Sequence, residues 1–167
     1  ADSLRQIRKD SSGQKSTAFY DRTNSTVQRR KRTYIDQPID INRADSADLL
    51  PLPGIGPVFA GRIIKYRNLL GGFVSIDQLG EVYGIPDETI QKIRDQVQID
   101  SSAVYKIRID SATFRELIRH PYLEYEHVKA LVEYRDFKGD IESIRELQDN
   151  YILPDSVLQR VKPYLGL

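Results

Sequence analysis

Leu52-Pro53-Gly54-Ile55-Gly56-Pro57-Val58-Phe59-Ala60-Gly61-Arg62-Ile63-Ile64 is the stretch that decides how this chain reads. A short helix is expected to run into Gly-apolar-Gly, and a second helix to start at once. Glycines at 54 and 56 permit a tight turn and leave no side chain in the path of an approaching ligand. The first amides of the second helix have no intrahelical acceptor and lie at the positive end of its dipole. Such a site suits a phosphate oxygen. Ile55 is expected to plug back between the two helices, and the small Ala60 to let them pack closely. Two readings of Gly54 and Gly56 stand side by side: contact with a phosphate, or no more than a tight helix–helix turn.

Working outward, the chain repeats itself. Sliding it by 68 positions aligns residues 39–97 with 107–165 without a gap, at 15 identities in 59 positions. Ile39, Ile41, Ala44, Leu49 and Pro53 meet Ile107, Ile109, Ala112, Leu117 and Pro121. Tyr66-Arg67 meets Tyr134-Arg135, Gly71 meets Gly139, and Tyr83 meets Tyr151. Two tandem units follow. Asp45-x-x-Asp48, Ser75-x-x-Gln78, Thr113-x-x-Glu116 and Ser143-x-x-Glu146 are capping-box patterns that start helices. Pro86 and Pro154 sit where a first helical residue tolerates proline, while Gly71-Gly72 and Gly139 stop the long helix of each unit. Each unit is therefore expected to hold four short helices, near 45–52, 57–70, 75–82 and 86–96, and near 113–120, 125–137, 143–150 and 154–164. Ile39-Asp40-Ile41, Val97-Gln98-Ile99 and Ile107-Arg108-Ile109 are candidates for short edge strands. The fold class is all-α.

Charge divides the chain a second way. Residues 1–38 carry nine basic and four acidic side chains, with Arg29-Arg30-Lys31-Arg32 as a charge run, and read as a flexible basic arm. It is either a solvated linker or an element that touches DNA or anionic lipid. Residues 39–100 have six basic against nine acidic side chains and residues 101–167 ten against eleven, so neither unit has the bulk basic footprint of a nucleic-acid binder. Cysteine is absent, which removes disulfides and thiolate chemistry. Methionine is absent too, initiator included, and a fragment or processed form is expected. His120 and His127, seven apart with no cysteine near, make a poor metal pair. No nucleophile triad, Gly-rich nucleotide loop or HExxH helix is visible, so no catalysis is expected. Tyr122, Tyr125, Tyr134 and Phe137 fit core and interdomain packing better than a base-stacking platform. Asp100-Ser101-Ser102-Ala103 is short enough for the units to touch and polar enough for a hinge.

LPGIGPVFAGRII resembles the helix-hairpin-helix DNA-binding motif. The longer run IDINRADSADLLPLPGIGPVFAGRIIKYRNLLGGFVSIDQLGEVYGI is similar to the DNA-binding domains of the bacterial competence (ComEA-type) family. The likeness covers 39–97 well and 107–165 more faintly. It implies paired hairpins that grip phosphates of duplex DNA without reading bases. By that resemblance the amides of Gly54, Gly56, Val58 and Phe59 face the phosphate, with Ile55 in the turn and Arg62 and Lys65 as the nearest basic side chains together with Arg67. It also implies a monovalent cation, K⁺ or Na⁺, at the carbonyls of Leu50, Leu52 and Ile55, and otherwise no cofactor. Relatives act in DNA uptake outside the cytoplasm behind a membrane anchor, which would lie outside residues 1–167.

Departures from the pattern matter as much. Val58 stands where many relatives have Lys or Arg. The second hairpin of unit one, Val82-Tyr83-Gly84-Ile85-Pro86-Asp87, keeps one glycine and adds an acid. In unit two, Tyr122 and Glu124 replace both hairpin glycines, and Asn150-Tyr151-Ile152-Leu153-Pro154-Asp155 has none. One hairpin neutralising about two phosphates gives a log–log salt slope of roughly −2 and a dissociation constant around 10⁻⁴ M. The expected partner is therefore duplex DNA, bound weakly and without sequence preference. The alternative is a non-catalytic scaffold or protein-interaction module that keeps the fold, with unit two serving a protein partner.

Overall fold

The computed structural model describes residues 37–167, so the arm, apart from its last two residues, lies outside the described residues. Within that range the chain is all-α, in two copies of one unit that belong to a single compact body. Unit one runs through strand β1 (Ile39–Asp40), helix α1 (Ser46–Leu49), helix α2 (Pro57–Leu70), a 3-10 helix (Ile76–Glu81), helix α3 (Asp87–Ile93) and strand β2 (Val97–Gln98). Unit two repeats the order with β3 (Ile107–Arg108), α4 (Phe114–Leu117), α5 (Tyr125–Lys138), α6 (Ile144–Asp149), α7 (Asp155–Val161) and β4 (Leu165–Gly166).

The start signals work as polar caps. Asp45 Oδ1 accepts from the amides of Ala47 and Asp48, while Asp48 returns a bond from the Asp45 amide. Thr113–Glu116 and Ser75–Gln78 close in both directions as well. Ser143 caps one way only, because Glu146 accepts from the Glu142 amide instead. Pro86 and Pro154 lie one position earlier than expected, as extended N-caps with ψ of 145° and 141° rather than first helical residues. Their rings fix φ, and their carbonyls accept the first helical amides. Gly71 and Gly139 end α2 and α5 at φ of +88° and +91°, a region open to glycine and strained for other residues.

The repeat is written in the core. Ile41, Ala44, Leu49, Ile63, Leu79, Ile93 and Val97 are buried, and so are their partners Ile109, Ala112, Leu117, Leu131, Leu147, Val161 and Leu165. Each unit is tied end to end by a parallel two-residue ladder, Ile39 beside Val97 and Ile107 beside Leu165. The repeated Tyr-Arg pair is part of this framework. Arg67 Nη1 donates to the carbonyls of Ile41 and Ala44 at 2.8 and 2.7 Å, and Arg135 donates in the same way to Ile109 and Ala112. These guanidinium bonds, each worth about 1.5–3 kcal/mol, pin the start of a unit to its long helix. Arg67 is thus a structural residue and not part of a phosphate site.

The join between units is a turn tied to unit one rather than a free hinge. Ser101–Ala103 forms one 3-10 turn capped by Asp100, whose carboxylate meets Arg43 at 2.5 Å and whose carbonyl accepts from Asn42 Nδ2 at 3.0 Å.

Candidate nucleic-acid interface

The first hairpin joins α1 to α2 through residues 50–56. Ile55 is buried, and its amide donates to the Leu52 carbonyl at 3.1 Å, so this residue locks the turn from within. Gly54 and Gly56, open to two readings in sequence, separate here. Gly54 has φ of +84°, and a Cβ there would meet Thr89 at 2.9 Å, so the fold itself demands glycine. Gly56 has φ of −100°, which any residue adopts, and a Cβ would meet nothing within 4 Å. No internal contact requires glycine at 56, and the space there, in front of the helix N-terminus, is open.

Among the described residues the amides of Gly54, Gly56, Val58 and Phe59 donate to no protein acceptor. Helix α2 is 14 residues long, and its first turn carries no acid to occupy those donors. Val58 is 64% exposed beside exposed Pro57, so the mouth of the turn is hydrocarbon rather than cationic. Phe59 is half-buried. Lys65 is exposed one turn further along α2, with no ion-pair partner among the described residues. Arg62 is spoken for: its Nη1 donates to the Tyr83 carbonyl at 2.9 Å and its guanidinium lies 4.9 Å from the Tyr83 ring centre. That bridge ties the first hairpin to the second. Gly84, next to Tyr83 in that second hairpin, has φ of +82°, a region that favours glycine.

Unit two uses the equivalent turn for something else. Tyr122, in the place of Gly54, is 8% exposed and points into unit one. Its hydroxyl donates to Glu81 Oε2 at 2.7 Å and accepts from Gln78 Nε2 at 2.7 Å. Gln78 Nε2 donates also to Tyr164 Oη, Tyr66 Oη donates to Glu81, and Arg160 Nη2 reaches Glu81 Oε1 at 2.8 Å while lying 4.0 Å over the Tyr122 ring. Burial raises the Glu81 pKa, but the bonds from Tyr66, Tyr122 and Arg160 outweigh it and leave the carboxyl below its usual range. Burial and the bond to Glu81 push the Tyr122 phenol up to about 12. His120 completes the joint, its ring 4.8 Å from Tyr164 and 5.3 Å from Tyr122. Its Nδ1 accepts from the Tyr122 amide, and its buried Nε2, near the Leu70 carbonyl, has no hydrogen-bond partner. Burial pushes its pKa down to about 4, an effect the Leu70 carbonyl partly offsets. His127 instead accepts from the Glu124 amide with Nδ1, so the two histidines do separate work.

The aromatic group splits accordingly. Tyr122 packs between units and Tyr134 bonds Glu146, but Tyr125 and Phe137 are 60% and 90% exposed, against the expectation of packing. The helix period placed all four on turns of α5 and its entry, yet the neighbours that cover two of them come from other elements. Glu81, Arg160 and Tyr164 drew no attention in the sequence, and Gln78 only as a capping residue. The signal available was the set of places where the repeat breaks: Leu52 becomes His120, Gly54 becomes Tyr122 and Gln96 becomes Tyr164.

Two tandem four-helix units, each built on paired helix-turn-helix hairpins, define the class to which this fold belongs. The helix-hairpin-helix motif family matches residues 36–98 and again 102–166, and the chain belongs to that family. The Xenopus laevis protein "Endonuclease/exonuclease/phosphatase family domain-containing protein 1" is 22% identical over 145 residues, 74% of this chain and 26% of its own length. ComE operon protein 1 of Bacillus subtilis is 33% identical over 61 residues, covering 36% of this chain and 30% of that protein. A Haemophilus influenzae protein without a descriptive name is 36% identical over 64 residues, 38% of this chain and 57% of its own. The chain spans about a quarter of the length of the animal relatives it matches. No solved structure matches it.

Proposed function

We propose that this chain is a non-catalytic protein that binds double-stranded DNA through its phosphates, without reading bases, at the Gly54–Phe59 turn. The supporting observation is the row of four amides free of protein acceptors in front of an open Gly56. Such donors at the end of an aligned helix dipole favour an anion. Ile55 contributes by fixing the turn, Lys65 adds an exposed cation, and Arg62 contributes from its place on Tyr83. A K⁺ or Na⁺ ion at the carbonyls of Leu50, Leu52 and Ile55 belongs to the same proposal. Leu50 and Ile55 accept no backbone bond among the described residues, whereas the Leu52 carbonyl is engaged by Ile55. With so few cations at the hairpin the affinity is weak, and the basic arm or several copies would raise it.

The resemblance of residues 39–97 to the ComEA-type competence family suggests the narrower form of this reading, DNA uptake outside the cytoplasm by a membrane-tethered protein. No helix among the described residues is long and apolar enough to cross a membrane. Fractionation of cells carrying the intact gene tests the location. The buried Tyr122 favours a second role for unit two, that of a scaffold whose hairpin holds unit one instead of DNA.

Fluorescence anisotropy with a random-sequence duplex tests the site through Gly56→Glu. Position 56 tolerates any side chain, so the variant should melt like the parent while its DNA affinity falls at least tenfold. Unchanged affinity in a folded variant would sink the proposal. Rising salt should weaken parental binding with a slope of roughly −2 on logarithmic axes.

A further inference from the structure

Backbone amides that hold a phosphate cannot tell DNA from RNA, because both polymers carry the same anion. The atom that separates them is the 2′-hydroxyl of the neighbouring sugar. What frames the amide row therefore decides which polymer fits, and here the frame is hydrocarbon. Pro57 and Val58 are both exposed in the first turn of α2. A cation at 58 would strengthen phosphate binding whatever the sugar; valine offers two methyl groups instead. The tip of the second hairpin stands on another side of the row. A Cβ on Gly84 would lie 3.8 Å from the Phe59 ring, so Tyr83-Gly84 is beside a residue whose own amide belongs to the row. Arg62, four residues and about 6 Å along α2 from Val58, holds that tip by the Tyr83 carbonyl and lies over the ring. Tyr83 is nonetheless 82% exposed, so its ring is free for contact from outside.

We propose that Pro57, Val58 and Tyr83 pack against the sugar next to the clamped phosphate and select deoxyribose over ribose, a preference that rests on the DNA-binding reading of the same turn. A C2′ methylene loses nothing against valine methyls and an aromatic face. A 2′-hydroxyl turned into that surface gives up water and gains no partner from Pro57 or Val58. Unit two supplies the contrast. Tyr151 stands where Tyr83 does and is 87% exposed, but Gly56 has become Glu124 and Val58 has become Glu126. A tyrosine alone, without the open turn and its hydrocarbon rim, has no clamped sugar to meet.

Fluorescence anisotropy of the full chain with DNA, RNA and 2′-fluoro RNA duplexes of one sequence, at one low salt concentration, supplies the test. The fluoro duplex keeps the helical form of RNA and lacks the hydroxyl, so it separates sugar from shape. RNA should bind about tenfold more weakly than DNA, the effect of one unpaired hydroxyl, and the fluoro duplex should bind within about twofold of DNA. Val58→Thr adds a hydroxyl at nearly constant volume on an exposed site. It should melt like the parent and raise RNA affinity about threefold, narrowing the gap. Tyr83→Ala should weaken DNA binding about fivefold, and Tyr151→Ala should leave it unchanged. RNA bound as tightly as DNA, a fluoro duplex bound as weakly as RNA, a Val58→Thr variant with the parental gap, or two tyrosine variants that behave alike would each overturn the sugar preference and leave the hairpin site standing. Gly56→Glu should weaken both polymers. Binding that it leaves intact would overturn the hairpin reading, and the sugar preference with it.

Discussion

The turn at residues 52–56 and its counterpart at 120–124 start from one template and end in opposite roles. In unit one, glycine keeps the turn tight at 54 and empty at 56, and the amides in front of α2 stay free. In unit two, Tyr122 fills the place of Gly54 and reaches a carboxylate and an amide of the neighbouring unit, while Glu124 stands where Gly56 was. A hairpin can offer its amides outward or spend its tip on packing, and the residue at the first glycine position decides which. The tandem chain does each once.

Breaking the docked hairpin should have the largest effect. Tyr122→Ala removes a buried ring and leaves Gln78 and Glu81 short of a partner, and should cost about 3–5 kcal/mol in chemical denaturation. Tyr122→Phe, which keeps the ring, should cost only about 1–3 kcal/mol. A Tyr122→Ala variant as stable as the parent would mean that the units do not depend on this joint.

Next comes pH. The folded state holds His120 neutral down to about pH 4 whereas the unfolded chain protonates it near 6.5, so unfolding takes up a proton between those values. Stability should therefore fall as pH drops from 6.5 to 4, by up to about 3 kcal/mol. Glu81, depressed in the folded state, should add to the loss below about pH 4.5. His120→Leu, which copies Leu52 of unit one, should flatten the upper part of this profile when melting is followed against pH. An unchanged slope would assign the titration to another group.

Glycine exchanges sharpen the comparison within the intact hairpin. Gly54→Ala forces a positive φ on alanine and crowds Thr89, for a loss of about 1–3 kcal/mol. Gly56→Ala should change stability by less than about 0.5 kcal/mol, the range of a surface substitution. Equal losses at both positions would remove the distinction on which the phosphate site rests. Losses at the caps should be modest: Ser143→Ala, a one-way cap, should cost about 1 kcal/mol or less, and Thr113→Ala, which closes both ways, somewhat more.

Most of the architecture was legible in the residues. Periodicity and capping patterns located all eight principal helical segments, and the 68-residue repeat located both units, because these depend on neighbours three or four positions apart. Both edge ladders involve segments read as strands, except that Leu165–Gly166 went unnoticed as a partner of Ile107–Arg108. A two-residue strand carries too little pattern to be seen alone. Arg62 and Arg67 looked alike on paper as cations near a hairpin, and only the distances separate one that bridges two hairpins from one that fastens a unit's start.

By itself the sequence determined the fold class, the duplication and the one turn whose glycines were kept, since each follows from local sterics and short-range hydrogen bonding. Tertiary structure decided the rest. It made Gly54 a necessity of the turn and Gly56 an opening, drew Tyr122, His120, Tyr164, Gln78 and Glu81 into one joint from positions up to 86 residues apart, and left Tyr125 and Phe137 exposed while Tyr122 was buried. Those outcomes depend on which surfaces meet once the chain has closed on itself, and no spacing along the chain records that.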